Sequence, residues 1–228
     1  MALVINRSAP QLPAGLAEAV AEVDVPTFGH FLEAGFPDPA IRRLAGSGRM
    51  VGRAVTVRIT ATDSTLVHQV TSMVGPGDVV VVDTGGDGRH APVGGVVGHA
   101  LATAGAVGVV IDGVCTDVGT LRELGLSVYA RGTSALTTKL HGIDAGGINV
   151  PITCGGSPVE PGYLVSGDDN GVLLAAPADV AAVLDRAAAS DAAEPGTLAK
   201  LHAGATLLEL TAARRLLSGL GVELAEET

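Results

Sequence analysis

The sequence predicts an α/β fold built from parallel strand–helix–strand units, and three observations predict it. Valine-rich apolar runs that read as buried strands end in turn residues at "GPGDVVVVD" (75–83), "VGVVIDG" (107–113) and "LSVYARG" (126–132). Two segments of helical spacing separate them, "VVGHALATAGAVG" (96–108) and "VGTLRELG" (118–125). The connecting lengths are those that parallel crossovers need.

Taken in order, 13–25 carries Leu16, Val20 and Val23 on one helical stripe, and a short helix is expected over 29–34. "DPAIRRLA" (38–45) reads as a brief helix after a proline turn, and "RMVGRAVTVRIT" (49–60) as a strand running through Gly52. "DSTLVHQVTSMV" (63–74) has an Asp-Ser start suited to capping a helix. A glycine-rich loop, "TGGDGRHAPVGG" (84–95), then leads into the helix that ends on Gly105. From 132 to 172 glycine density rises and short strands such as "NVPITCGG" and "GVLLAAP" alternate with turns. "PADVAAVLDRAAAS" (177–190) is an alanine-rich helix. In the tail, 198–220, the leucine stripe is too wide for a helix isolated in water. The expected organisation is an α/β domain over 1–177 and a helical tail over 178–228, packed on that domain or on a neighbouring subunit.

Composition narrows the function. With 47% hydrophobic and 17% charged residues the chain folds rather than staying disordered. Its formal charge of −10 and 2% aromatic content argue against nucleic acid, which asks for basic surface and stacking platforms. Neither a signal peptide nor a transmembrane run is read, so a cytoplasmic protein away from membranes is expected. Cys115 and Cys154 stand far apart without CxxC or zinc spacing and read as two buried free thiols.

In open α/β sheets ligands gather at the carboxyl ends of parallel strands. Here "VVVVD" ends at Asp83, "VVID" at Asp112, and "DGVCTD" brings Asp117 to the following helix. Spacing alone makes Asp117 first an N-cap and second a metal ligand. The glycines of 94–98 let amides approach an anion at a helix mouth. A small carboxylate on the amides of 98–101, beside a cation at Asp117, would make a coherent site.

Residues 75–132, and again "GGINVPITCGGSPVEPGYLVSGDDNGVLLAAP" (146–177), resemble the 4-hydroxy-4-methyl-2-oxoglutarate/4-carboxy-4-hydroxy-2-oxoadipate aldolases, whose superfamily includes the ribonuclease E inhibitor proteins. The resemblance covers nearly the whole chain from about Thr27. It implies a swivelling β/β/α domain with a C-terminal helical tail, assembled as a homotrimer or hexamer with the active site between subunits. It further implies Mg2+ or Mn2+ at Asp117, and a pyruvate carboxylate bound around Gly95, Gly98, His99, Ala100, Leu101 and Thr116. A neighbour's acid, Glu194 or failing that Asp191, completes the site. The chain departs from the pattern where the family carries Arg and here has Thr116, where it carries Glu or Asp and here has His99, and at His30 in "TFGHFL". Tyr163 and Asn170 likewise replace acids.

The expected function is a divalent-metal-dependent carbon–carbon lyase, an aldolase or decarboxylase acting on a small 2-oxo acid, with His99 activating water. Two alternatives stand beside it. One is an enzyme of the same fold using Thr116, His99 and His30 on another substrate, without a metal. The other is a non-enzymatic regulator of the ribonuclease E inhibitor type.

Overall fold

The structure, a computed structural model, describes residues 3–60 and 62–220. The chain divides into two compact units, Met1–Ala187 and Ala188–Thr228.

In the first unit β1 (Val4–Ile5), α1 (Leu16–Ala21), α2 (Val25–Phe28) and β2 (Arg42–Ala45) lead to the long β3 (Met50–Arg58). The middle follows as α3 (Thr65–Val70), β4 (Asp78–Asp83), α4 (Gly95–Ala104), β5 (Gly108–Cys115), α5 (Val118–Glu123) and β6 (Ser127–Thr133). Then come β7 (Gly147–Ile148), β8 (Ile152–Cys154), β9 (Ser157–Val159), β10 (Leu164–Gly167) and β11 (Val172–Ala175). Helix α6 (Pro177–His202) continues into the second unit, which also holds α7 (Leu207–Leu210) and α8 (Ala213–Gly219).

The expected parallel units are present: β3, β4, β5 and β6 pair side by side in parallel. Their register sets Val57 beside Val82 and Val82 beside Ile111. The strands carry valine on both faces because both are covered. One face packs Val80, Val82, Val109 and Ile111 against Val67, Val97, Leu101 and Leu121 from α3, α4 and α5. The other buries Val79, Val81, Val110 and Tyr129 with Cys154 and Val159 of the β8–β9 hairpin. The sheet is mixed at its margins, with β2 antiparallel to β6 and β10 antiparallel to the start of β3.

Three expectations change. The helix awaited over 29–34 forms one turn earlier, as α2, where Asp168 accepts the Val25 N–H at 3.0 Å and Pro26 stands in the first turn. "DPAIRRLA" contains no helix. Its last four residues form β2, and the Arg43 guanidinium bonds the Tyr129 hydroxyl across the pair at 2.7 Å. Eight residues leave local preference weak enough for sheet pairing to override it. The division between units falls after Ala187 rather than at 177, because Val180, Val183 and Ala187 on the first turns of α6 are buried with Leu164 and Leu173. In the second unit Leu198, Leu207, Leu216 and Leu217 are exposed in the single chain.

Both cysteines are free and buried. Burial pushes the Cys115 thiol up to about 11, and Cys154 higher still, so neither is a nucleophile. No helix among the described residues is long and apolar enough to cross a membrane.

Candidate active site

Where β5 ends, the Thr116 N–H donates to the Val93 carbonyl at 3.0 Å and joins that strand end to the approach to α4. Asp117 follows at φ 54° and ψ 38°, in the left-handed region that aspartate enters more readily than most side chains. Its carbonyl accepts the Leu121 N–H and starts α5, so its backbone serves as the N-cap. Its side chain does not cap that helix. Instead, one carboxylate oxygen crosses to accept the Gly95 N–H of α4 at 2.9 Å. Asp117 therefore ties together two helix mouths, a role the spacing alone did not separate from simple capping.

Gly94 makes this crossing possible. A Cβ there would lie 2.6 Å from the Asp117 carboxylate and 2.6 Å from the Thr116 methyl carbon. Gly98, one turn on, is glycine for another reason: a Cβ would lie 2.5 Å from Leu121, where α4 and α5 pack.

Around this point lies a cleft of about 160 Å³. Ser64 and His68 enter it from α3 and its cap, Thr137 and Thr138 from the segment after β6, and Thr116 and Asp117 from the end of β5. Backbone hydrogen bonds fix the walls. Thr138 N–H donates to Ala91 O at 3.2 Å, Lys139 N–H to Thr62 O at 2.8 Å, and Ser64 N–H to Lys139 O at 2.9 Å. Buried Asp63 holds the same segment, accepting the N–H groups of Thr65, His141 and Ile143. Burial works to raise the Asp63 carboxyl, but the bonds from Thr65, Ile143 and His141 outweigh it and hold the group well below the usual range.

The amides open to an anion are those of the first turn of α4. Gly98 N–H already donates to Gly94 O at 2.8 Å, and the amides of His99, Ala100 and Leu101 lie further inside the helix, where each has a carbonyl one turn back. The amides expected to hold an anion, 98–101, are therefore engaged within the helix, and the open ones lie in the turn before them. Val96 and Val97 keep N–H groups without such a partner, and both residues line the cleft. The Val96 side chain is 83% exposed at its mouth, whereas Leu101 is wholly in the core.

Of the residues singled out from sequence, Gly95, Thr116 and Asp117 meet in the cleft. His99 does not line it; its ring Nδ1 lies 2.9 Å from the Gly95 carbonyl of its own helix and the side chain is exposed. His30 is exposed beside Phe31, which packs against the core of α1, α2 and the start of α6, while His99 is on α4 over the opposite sheet face. One chain therefore does not bring Thr116, His99 and His30 together. Glu194 and Asp191 lie in the second unit on α6. Asp112 is engaged by Arg131 at 2.6 Å and the Gly155 N–H at 2.7 Å, and Asp83 by Arg58 at 3.3 Å. Both belong to a row of charges on the other sheet face. Tyr163 and Asn170 border separate apolar hollows. The larger of these, about 500 Å³, carries only Glu33 and Asn170 as polar side chains, and so offers no convergent chemistry.

Sequence reasoning missed His68, Ser64, Thr137 and Thr138. The Asp63-Ser64 start signalled the helix that bears His68, but nothing local indicated which helix face meets Asp117.

No group of three or more His, Cys, Asp or Glu among the described residues is placed to hold a metal ion. A small hard cation needs less from the protein, since it keeps water ligands and takes others from a chelating substrate. Asp117, with one oxygen bonded to Gly95 and the side chain exposed, fits such a partial site.

The cleft lies at the end of a parallel strand and places one carboxylate beside open helix amides, the position where open α/β sheets gather ligands. Residues 17–174 match the RraA-like family, described as Aldolase/RraA, and the chain belongs to that family. A protein of Halalkalibacterium halodurans named "Putative 4-hydroxy-4-methyl-2-oxoglutarate aldolase" is 38% identical over 134 residues, 59% of this chain and 63% of that protein. The matched stretch is thus less than two thirds of that relative. The solved RNA-processing inhibitor RraA of a Thermus species is similar at 29% identity and TM-score 0.58, over 64% of this chain and 88% of its own. An uncharacterized Pseudomonas syringae protein shares the fold across 92% of this chain and 97% of its own, at TM-score 0.74 and 22% identity.

Proposed function

We propose that the cleft binds a small 2-oxo acid and cleaves a carbon–carbon bond beside its oxo group, as an aldolase or decarboxylase, with Mg2+ or Mn2+ held by Asp117. The observation that carries this reading is the Asp117 carboxylate bonded to Gly95 N–H at 2.9 Å, in one cleft with the open amides of Val96 and Val97.

The substrate carboxylate accepts from the Val96 and Val97 amides, where the positive end of α4 favours an anion. Bound there, the cation would act as a Lewis acid on the 2-oxo group, drawing off the electron pair released when the adjacent carbon–carbon bond breaks. Asp117 orients that end of the substrate, and the Thr116 hydroxyl is available to donate to the same oxygen. His68 on the cleft wall takes the proton-transfer role that sequence had given to His99, since an imidazole ring can both accept and donate a proton. In this reading copies of the chain assemble as a trimer or hexamer, and Glu194 or Asp191 of a neighbouring copy reaches the cleft.

Oxaloacetate decarboxylation with and without added Mn2+ tests it. Asp117→Ala should lower the metal-dependent rate by about 10²–10³, the usual loss for one preorganised electrostatic group. It should also remove Mn2+ binding in calorimetry, with no more than the modest fall in thermal midpoint that losing the Gly95 hydrogen bond implies. Undiminished decarboxylation by that variant would remove the reading.

A further inference from the structure

We infer that the Ser64 hydroxyl receives the substrate's far end, making the cleft selective for 2-oxo acids that end in a hydroxyl rather than in a charged group. This rests on the 2-oxo acid reading above and adds the substrate class, that of short deoxy-sugar acids.

Ser64 stands just before α3, where a serine hydroxyl ordinarily caps the helix, yet its side chain makes no capping bond. Asp63 does so instead, accepting the Thr65 N–H at 2.9 Å. The Ser64 hydroxyl donates to the Lys139 carbonyl at 3.3 Å. Although only 4% of the residue is exposed, it lines the cleft. A hydroxyl has one proton to give and two lone pairs to offer. With that proton committed, Ser64 presents an acceptor alone, and its complement is an O–H donor. A carboxylate, which only accepts, finds no partner there.

The charges around the cleft point the same way. Among the described residues that line it, Asp117 and His68 alone have titratable side chains; the first is an acid and the second moves the proton. Lys139 lies outside the lining, with its ammonium turned onto the Thr137 carbonyl at 3.1 Å. A second substrate carboxylate would therefore enter a chain of net charge −10 near Asp117, with the proposed cation already taken by the 2-oxo end. An uncharged hydroxyl meets no such opposition. The His68 N–H donates to the Ser64 carbonyl at 3.0 Å, so the acceptor and the imidazole follow one another along one face of α3. The substrate's carboxylate takes the mouth of α4, and its terminal hydroxyl donates to Ser64.

The test uses non-cleavable oxamate mimics of 2-oxo acids with equal chain length: N-(2-hydroxyethyl)oxamate, N-propyloxamate and N-oxalylglycine. Each is titrated calorimetrically into the full chain with saturating Mn2+. The unaltered protein should bind the hydroxyethyl compound about fivefold more tightly than either of the others, as one neutral hydrogen bond provides. Ser64→Ala should lower that affinity to the level of N-propyloxamate and leave N-propyloxamate itself unchanged. Ser64→Thr, which keeps the hydroxyl, should keep the preference. Equal affinities in the unaltered protein, or tighter binding of N-oxalylglycine, overturn the inference and leave the 2-oxo acid reading standing. A preference that survives Ser64→Ala does the same. Failure of the unaltered protein to bind any of these mimics overturns both.

Discussion

Asp117 and Gly94 depend on each other. The aspartate can bond the Gly95 amide from a left-handed backbone only because the residue before Gly95 has no side chain. Gly94→Ala would place a methyl 2.6 Å from both the Asp117 carboxylate and Thr116, so one of them must move. The expected cost is about 1–3 kcal/mol of stability, typical of forced overpacking. Under the proposed metal-dependent reading, the larger consequence is loss of Mn2+ affinity as Asp117 is displaced. Calorimetric titration with a melting curve checks both, and unaltered metal affinity would show that the aspartate tolerates the intrusion. In the sequence, Asp117 was already visible as a polar residue ending an apolar strand. The direction of its side chain was not, because capping its own helix and crossing to α4 share the same local pattern.

Among the elements, α4 was legible as a helix but not in its orientation. Apolar spacing identifies a buried stripe, and Val97 and Leu101 occupy it. Which amides remain open follows instead from where the first turn begins, at Gly95, and these precede the expected 98–101. The strap over 136–143 had no sequence signal, since its structure is imposed by Asp63 and the 62–64 backbone. Its acid response follows from Asp63. Because the folded carboxyl is held below its unfolded value of about 3.9, its contribution is complete above that pH and is lost as pH falls toward the folded value. Asp63→Asn should therefore lower the melting temperature at pH 7, and the gap to the unaltered protein should narrow below about pH 4. Melting curves from pH 7 to pH 2.5 report this, and a gap that widens with acid would contradict it.

At the scale of the whole molecule, the boundary after Ala187 makes the start of α6 part of the α/β unit. A chain ending at Ala187 should unfold at nearly the full-length midpoint. One ending at Ala176 would lose Val180 and Val183 from the core, at about 1.5–3 kcal/mol for each buried valine. Equal midpoints for the two truncations would place the boundary back at 177. The amino-acid sequence by itself determined the parallel strands, their helical crossovers, the two inert thiols and Asp117 at a strand end. These follow from periodicity and turn chemistry within a few residues. Only the tertiary structure decided that His68, Thr137 and Thr138 share a cleft with Asp117 while His99 and His30 do not. Those neighbours lie tens of residues apart, and hydrogen bonds between distant segments set which way each side chain faces.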